Sequence, residues 1–305
     1  MLFSSLPYAM PIRILSLPSA DLQYTLNCMD ICDLIAFSLC SNRTKHLVKS
    51  SKRKIEYIDT EFGSHSSIII KPPTDEFIFF EFDDSWIELA RRNGVEVFRK
   101  PKFTHRDWVD HFLNIFNESM INELSIEDVD VSYLDTVKET ISKCNRLEIT
   151  NDCSHDVAKI AFSKLSPIAV DTVALQKNIF DNESDISKLL SLNLESAYLD
   201  DHRKPFEIKL EDLLVLNITE LMIEIANISE QELNRFLKLW MKGNHGFYRP
   251  KVIMLFLEDG REINHDKVFE GINHEAFRLN RTDGKELIIS THGNVFILRF
   301  DIKYE

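Results

Sequence analysis

From residue 122 onward the chain repeats one unit, a short apolar-x-apolar pair followed by a helical stripe, and this rhythm limits the architectures open to it. The pairs are Leu124/Ile126, Leu147/Ile149, Val173/Leu175, Ala197/Leu199, Leu221/Ile223 and Ile253/Leu255, at intervals of 23, 26, 24, 24 and 32 residues. Two side chains separated by one position share a face of a strand, so each pair marks the buried side of one strand. The stretches 132–144, 155–165, 185–193, 209–217 and 229–243 between them each carry one apolar stripe at helical spacing. Alternating strands and helices imply parallel strands joined by crossovers, and equal short periods favour an open solenoid over a doubly wound sheet. Chance alternation in an ordinary α/β domain is the competing reading.

The period lies near that of leucine-rich repeats, without their Asn/Cys ladder. The fold class expected is therefore α/β, a leucine-rich-repeat-like βα solenoid with a parallel sheet, preceded by an all-α N-terminus. Its best-defined helix is SEQELNRFLKLWMKG: Ser229 and Glu232 form a capping box, Leu233, Phe236, Leu237 and Trp240 make the stripe, and Gly243 sits just past the end. Two alternating runs around His292-Gly293-Asn294 predict a terminal β-hairpin, which could close the open end of the solenoid. Upstream, KIEYIDTEF, SSIIIK and EFIFFEF read as short strands, Trp86 to Arg92 as a helical turn or two, and Trp108, Phe112, Ile115 and Phe116 as a helix beginning near Asp107. The layout expected is a helical docking module at 11–52, a bridging layer at 55–120 and the repeat-like domain at 121–305.

Leu17 to Val48 reads as three short helices. Ser19 can cap the first, with Leu22, Leu26 and Met29 on one stripe; Asp30 can cap the second, with Asp33 in its first turn; Ser41 restarts the chain as a third. Leu34, Ile35, Phe37 and Leu39 point apolar surface in more than one direction. A module of roughly 40 residues rarely holds a fold alone without disulfides, metal or association, so this surface implies a partner. A helical cap on a larger core would also satisfy the pattern.

These residues resemble an F-box, the segment by which substrate receptors of SCF ubiquitin ligases bind a Skp-type adaptor. Leu17-Pro18, Leu22, Leu26, Met29, Asp30, Asp33-Leu34, Ser38 and the Cys40-Ser41-x-Arg43 run stand in register with the family pattern. Ala20, Ile31 and Thr44 depart from the usual acidic residue, Pro and Trp, as in the divergent F-boxes of the family expanded in nematodes, and LNRFLKLWMKG resembles the F-box-associated domain that follows in that family. The resemblance implies a non-enzymatic receptor with no cofactor, bound through Leu17, Pro18, Leu22, Leu26, Met29, Leu34, Phe37 and Leu39 to the adaptor and through it to a cullin. The alternative is a repeat-like protein-binding module with no ubiquitin-ligase role.

Composition narrows the classes further. The net charge of -13 divides into +4 over residues 1–54 and -17 over the remainder, which speaks against a nucleic-acid surface on the body. The six basic residues between Arg43 and Lys54 read as a solvated helix end or an address signal. Five cysteines, an odd count with no C-x-x-C pair, imply reduced thiols. With no leader pattern and an opening segment too short to span a bilayer, a cytoplasmic or nuclear chain off the membrane is expected.

No catalytic motif is complete. His105-Arg106-Asp107 has Phe112 where a kinase loop needs Asn, and His105, Asp107, Asp110 and His111 lack the i, i+4 histidine spacing of a helical metal site. Gly243-Asn244-His245-Gly246 follows a helix C-terminus, where the dipole repels anions, so neither a phosphate loop nor a metal is expected. The target surface is instead read from strand alternation. If the apolar pairs face the core, Tyr198, Met222, Met254 and Phe256 face outward as an apolar cluster, with Glu148 and Glu224 selecting a basic partner, unless the hairpin folds over them.

Overall fold

The computed structural model describes residues 13–73, 77–83, 86–91, 94–181, 183–243, 248–258, 260–281 and 283–302. Three helices open it: α1 (Ser19–Cys28), α2 (Ile31–Leu39) and α3 (Asn42–Ser51). Asp30 caps α2 by accepting from Asp33 N at 2.7 Å, and Ser41 with Thr44 forms a capping box on α3. Helix α1 has no side-chain cap; Ser19, expected to cap it, is its first helical residue, after Pro18. Lys52 ends α3 in the left-handed region at φ 51°.

A meander follows: β1 (Tyr57–Phe62), β2 (Ser67–Lys71), β3 (Ile78–Asp83), β4 (Trp86–Arg91) and β5 (Gly94–Arg99), each antiparallel to the next. Residues 86–91 are thus a strand and not the helical turn their sequence suggested, and Arg92 lies outside the described residues. Pairing on both sides, Glu88 with Glu81 and with Val97, satisfies the backbone of β4 in a way its local sequence does not announce. Helix α4 (His105–Phe116) then carries Trp108, Phe112, Ile115 and Phe116 into the core; Thr104 and Asp107 box its start and Asn117 at φ 60° ends it.

The repeat-like part runs β6 (Ile121–Ile126), α5 (Tyr133–Thr140), β7 (Cys144–Ile149), α6 (His155–Leu165), β8 (Ala169–Leu175), α7 (Glu183–Leu190) and β9 (Ser196–Asp200). It continues through β10 (Phe206–Glu207), α8 (Leu210–Val215), β11 (Glu220–Glu224), β12 (Ala226–Asn227), α9 (Glu230–Met241) and β13 (Val252–Phe256). The chain ends with α10 (His265–Val268), β14 (Arg278–Asn280), β15 (Lys285–His292) and β16 (Val295–Ile302). Strands β10 and β12 form a small parallel ladder of their own.

The remaining strands form one sheet in the order β14-β15-β16-β13-β11-β9-β8-β7-β6-β1-β2-β3-β4-β5. Its centre, β1 and β6 through β13, is parallel and follows chain order from β6 onward, each βα unit adding one strand, while both flanks are antiparallel. The architecture is mixed α/β with a three-helix N-terminus. The segment expected as a bridging layer contributes β1–β5 to the same sheet, β1 lying parallel beside β6.

The core lies on one face of the sheet. Leu124, Ile126, Leu147, Ile149, Val173, Leu175, Ala197, Leu199, Leu221, Ile223, Ile253 and Leu255 are each at most 1% exposed. The buried face of α9, Leu233, Phe236, Leu237 and Trp240, packs into the same core, and buried Asn234 donates to Val268 O at 2.8 Å and Glu270 O at 3.0 Å, tying α10 to α9. Ser229 caps α9 by accepting from Glu232 N at 3.2 Å. Ser229→Ala should therefore cost about 1 kcal/mol, read as a fall in melting temperature of about 2 °C; an unchanged melting temperature would mean that the cap carries no stability.

Candidate docking surfaces

The N-terminal helices are joined to the body through side chains. Lys100 Nζ donates to Leu39 O at 2.7 Å and Asn117 Nδ2 to Lys49 O at 3.2 Å, so the last residue of α2 and the end of α3 are both held from the body. Within the module Arg53 donates to Asn27 O and Met29 O, satisfying carbonyls at the end of α1. At the joint, Ser38 Oγ lies 2.7 Å from His111 Nε2 and 2.6 Å from Ile35 O. The hydroxyl hydrogen goes to Ile35 O, which leaves the Ser38 oxygen to accept from the Nε2–H of a neutral imidazole. His111 is 3% exposed; burial, with Lys45 and Lys100 nearby, pushes its pKa down to about 3. Phe112 beside it meets Phe80 of β3 at 5.1 Å, so the joint is also a packed aromatic core.

Exposure separates the eight residues singled out for adaptor binding into two groups. Leu22, Leu26 and Leu34 are 8%, 1% and 0% exposed and hold the three helices together. Leu17, Met29, Phe37 and Leu39 are partly buried against the core, and Pro18 is exposed. Tyr24, which the apolar pattern passes over because it sits opposite the Leu22/Leu26 stripe, is 72% exposed.

The second surface is the face of the sheet away from the core. A cross-strand row runs Glu81, Ser67, Glu61, Ser125, Glu148, Ala174, Tyr198, Met222, Met254, Ile297, Ser290 from β3 to β15. The terminal hairpin joins this row edge on, β16 pairing with β13 through Met254 with Ile297 and Phe256 with Val295, so it lengthens the sheet in its own plane. Tyr198, Met222, Met254 and Phe256 remain partly exposed, with Ile297, Val295 and Val252 beside them. The hairpin residues could have been found from the outward positions of the run VFILRF, had its partner strand been known. Glu224 is at the end of β11, paired with Asp200; burial first, and Asp200 second, raise its pKa.

Further along the face, at β1, β6 and β7, the carboxylates collect. Asp59 and Glu61 of β1, Glu123 of β6, Glu127 just after it and Glu148 of β7 lie on adjacent strands, and Arg146 bridges two of them, its Nε 3.1 Å from Glu123 Oε2 and its Nη2 3.3 Å from Glu148 Oε2. The Arg146 guanidinium also lies 5.3 Å from the centre of the Tyr198 ring. Asp59 accepts from Asn122 Nδ2 at 2.9 Å and Glu123 N at 3.0 Å, and Glu148 accepts from Gln176 Nε2 at 2.5 Å. Glu61 is raised to about 7 by its hydrogen bond to Glu127 and by burial; Glu123 is raised to about 7 by burial and the charge of Glu148, partly offset by Arg146. Within each pair one proton is shared, because two adjacent carboxylates cannot both ionise at their usual pKa.

The His105-Arg106-Asp107 sequence is the start of α4, where Asp107 serves the capping box and His105 packs on Phe82 at 4.9 Å and meets the Tyr133 hydroxyl. Gly243 stands at φ 71° after α9, and 244–246 lie outside the described residues. Among the described residues no three His, Cys, Asp or Glu side chains gather as a metal site, and no helix is long and apolar enough to cross a membrane. None of the five cysteines forms a disulfide; Cys144 and Cys153 are buried, and that burial pushes their pKa values up.

Comparison with known proteins places names on two of these regions. The F-box domain family matches residues 14–56, which span the three N-terminal helices, and the F-box associated family matches residues 185–246, from α7 through α9. A Caenorhabditis elegans protein, F-box associated domain-containing protein sdz-33, is 20% identical over 294 residues, covering 90% of this chain and 92% of its own length. No solved structure gives a significant match. The chain carries an F-box followed by an F-box-associated domain.

Proposed function

We propose that this chain is the substrate-recognition subunit of an SCF-type ubiquitin ligase and is not itself an enzyme. Residues 11–52 dock a Skp-type adaptor, and through it a cullin, using Leu17, Pro18, Met29, Phe37 and Leu39 as the apolar contact surface over a core of Leu22, Leu26 and Leu34. The sheet of residues 121–305 holds a target protein against Tyr198, Met222, Met254 and Phe256, with Glu148 and Glu224 favouring a basic partner. The receptor contributes proximity: target and ubiquitin-carrying enzyme are held in one assembly, which replaces a bimolecular encounter with a high local concentration. Such a complex works in the cytoplasm or nucleus, where the ubiquitin machinery is.

The observation that carries this reading is the joint between the F-box and the sheet. The Ser38–His111 contact and the Lys100 contact to Leu39 O tie the docking helices to the body that presents the uncovered face, so a target on that face has a defined position relative to the adaptor. Affinity capture tests it: adaptor and cullin should co-purify with the chain, and their absence would favour a binding module with no ligase role. Met222→Asp with Phe256→Asp should reduce target capture at least tenfold and leave adaptor capture unchanged. Unchanged target capture would move the target site elsewhere.

A further inference from the structure

The uncovered sheet face is divided along its length. Its β9–β16 end presents Tyr198, Met222, Met254 and Ile297 side by side in one row, with Val252 in the row below and Phe256 and Val295 in the row above, all partly exposed. A contiguous apolar patch of this kind on a water-soluble surface marks a contact site. Its stretch over β1, β6 and β7 presents Asp59, Glu61, Glu123, Glu127 and Glu148, with Arg146 between Glu123 and Glu148. Other cations of the face are Arg299 of β16 and Arg278 of β14 at one edge, the latter 3.7 Å from Glu286, and Lys71 of β2 and Arg99 of β5 on the opposite flank. Going from β16 toward β1, the face therefore passes from an apolar stretch to a carboxylate stretch, beyond which the β2–β5 flank carries Lys71, Arg99 and the exposed Phe79 and Val97.

We infer that this face binds a segment of the target that carries two or more Lys or Arg side chains at one end and a large apolar side chain at the other. The cations lie over β1, β6 and β7, and the apolar side chain over β11, β13 and β16. The inference deepens the receptor reading by naming the chemistry of the target, and binding on this face does not itself require the adaptor. Arg146 demonstrates the chemistry within the chain: a guanidinium bracketed by Glu123 and Glu148 and set over the Tyr198 ring. It offsets one of the five carboxylates, and the rest repel one another or share protons, so an added cation gains charge-assisted hydrogen bonds and relieves that repulsion. A nucleic acid would meet the wrong sign of charge.

Geometry sets the spacing. From β6 to β11 the face crosses β7, β8 and β9 in turn, four intervals of about 4.8 Å, or about 19 Å. An extended segment rising about 3.3 Å per residue spans that distance in about six residues.

The test is selection of random 12-residue peptides displayed on phage against the full chain. Enriched peptides should hold at least two Lys or Arg about six positions from a Leu, Met, Phe or Trp. A labelled peptide from that set should bind at least tenfold more weakly to the Glu61→Gln, Glu123→Gln, Glu148→Gln variant and to Met222→Asp. If the triple variant fails to fold, Glu148→Gln alone should weaken binding severalfold, and raising salt from 50 to 300 mM should weaken binding to the unaltered chain. Neutral or acidic enriched peptides, no enrichment, or basic peptides insensitive to these changes would each overturn the inference. So would a dimer dissolved by the triple variant, since that would assign the face to the basic 43–54 run of a second copy. Adaptor capture, run in parallel, separates the two readings: its absence with peptide selection intact would refute the ligase role alone.

Discussion

Replacing Leu17 and Met29 together by aspartate is expected to abolish capture of a Skp-type adaptor by an otherwise folded chain. The two residues flank α1, one just before it and one just after, and both keep part of their apolar surface in solvent. A few apolar anchors near the centre of an interface carry most of its affinity, and a buried, unpaired carboxylate at such a position opposes association as well as losing the contact. At about 2 kcal/mol per position the double change removes about 4 kcal/mol, near a thousandfold in affinity. Leu22, Leu26 and Leu34 are unsuitable for this test despite their place in the family pattern. They are core, and truncating any of them leaves a cavity costing about 2–5 kcal/mol of stability, so lost capture would report unfolding. The measurement is pull-down with purified adaptor beside a thermal melt; capture within twofold of the unaltered chain at a similar melting temperature would refute the docking assignment.

Acid is expected to loosen the joint between the F-box and the sheet, through His111. Its folded pKa is about 3, against an ordinary value of 6.5, because burial disfavours the imidazolium. Between those two values the unfolded chain binds a proton that the folded chain excludes, so stability rises with pH across that window. The contribution is complete above pH 6.5 and is lost as pH falls toward 3, reaching about 5 kcal/mol at the bottom of the window. Glu61 and Glu123 act in the opposite sense: raised from 4.5 to about 7, they favour the folded state below pH 4.5 and lose that contribution as pH rises through 7. The two effects oppose one another between pH 4.5 and 6.5 and flatten the curve of the unaltered chain there.

The His111→Gln variant isolates the first effect, since its amide can still donate to Ser38 and takes no proton. Urea unfolding at pH 7, 5.5 and 4 should show the variant gaining on the unaltered chain at each step down. A gap that stays the same at all three values would mean that the imidazole is not held neutral in the folded protein.

The periodic elements were legible without coordinates because their determinants are local. A side-chain repeat of two sets which face of a strand is apolar, and each of the six apolar pairs from Leu124/Ile126 to Ile253/Leu255 is in the core. Ser229 with Glu232, Asp30 and Ser41 act at the helix starts read for them, since a cap needs only the next three residues. The hairpin around Gly293 likewise follows from alternation and a turn.

What the sequence did not determine depends on pairing between distant segments. Strand β4 owes its conformation to neighbours on both sides, and β1 lies parallel to β6 across more than sixty residues, which no window of local sequence records. That pairing brings Asp59 and Glu61 beside Glu123 and Glu148 and makes a carboxylate cluster from residues that look like ordinary solvated charges one strand at a time. Packing among the N-terminal helices likewise settles which leucines of the F-box are core and leaves Tyr24 in solvent, because burial depends on what packs against a helix and periodicity reports only that one side of it is apolar.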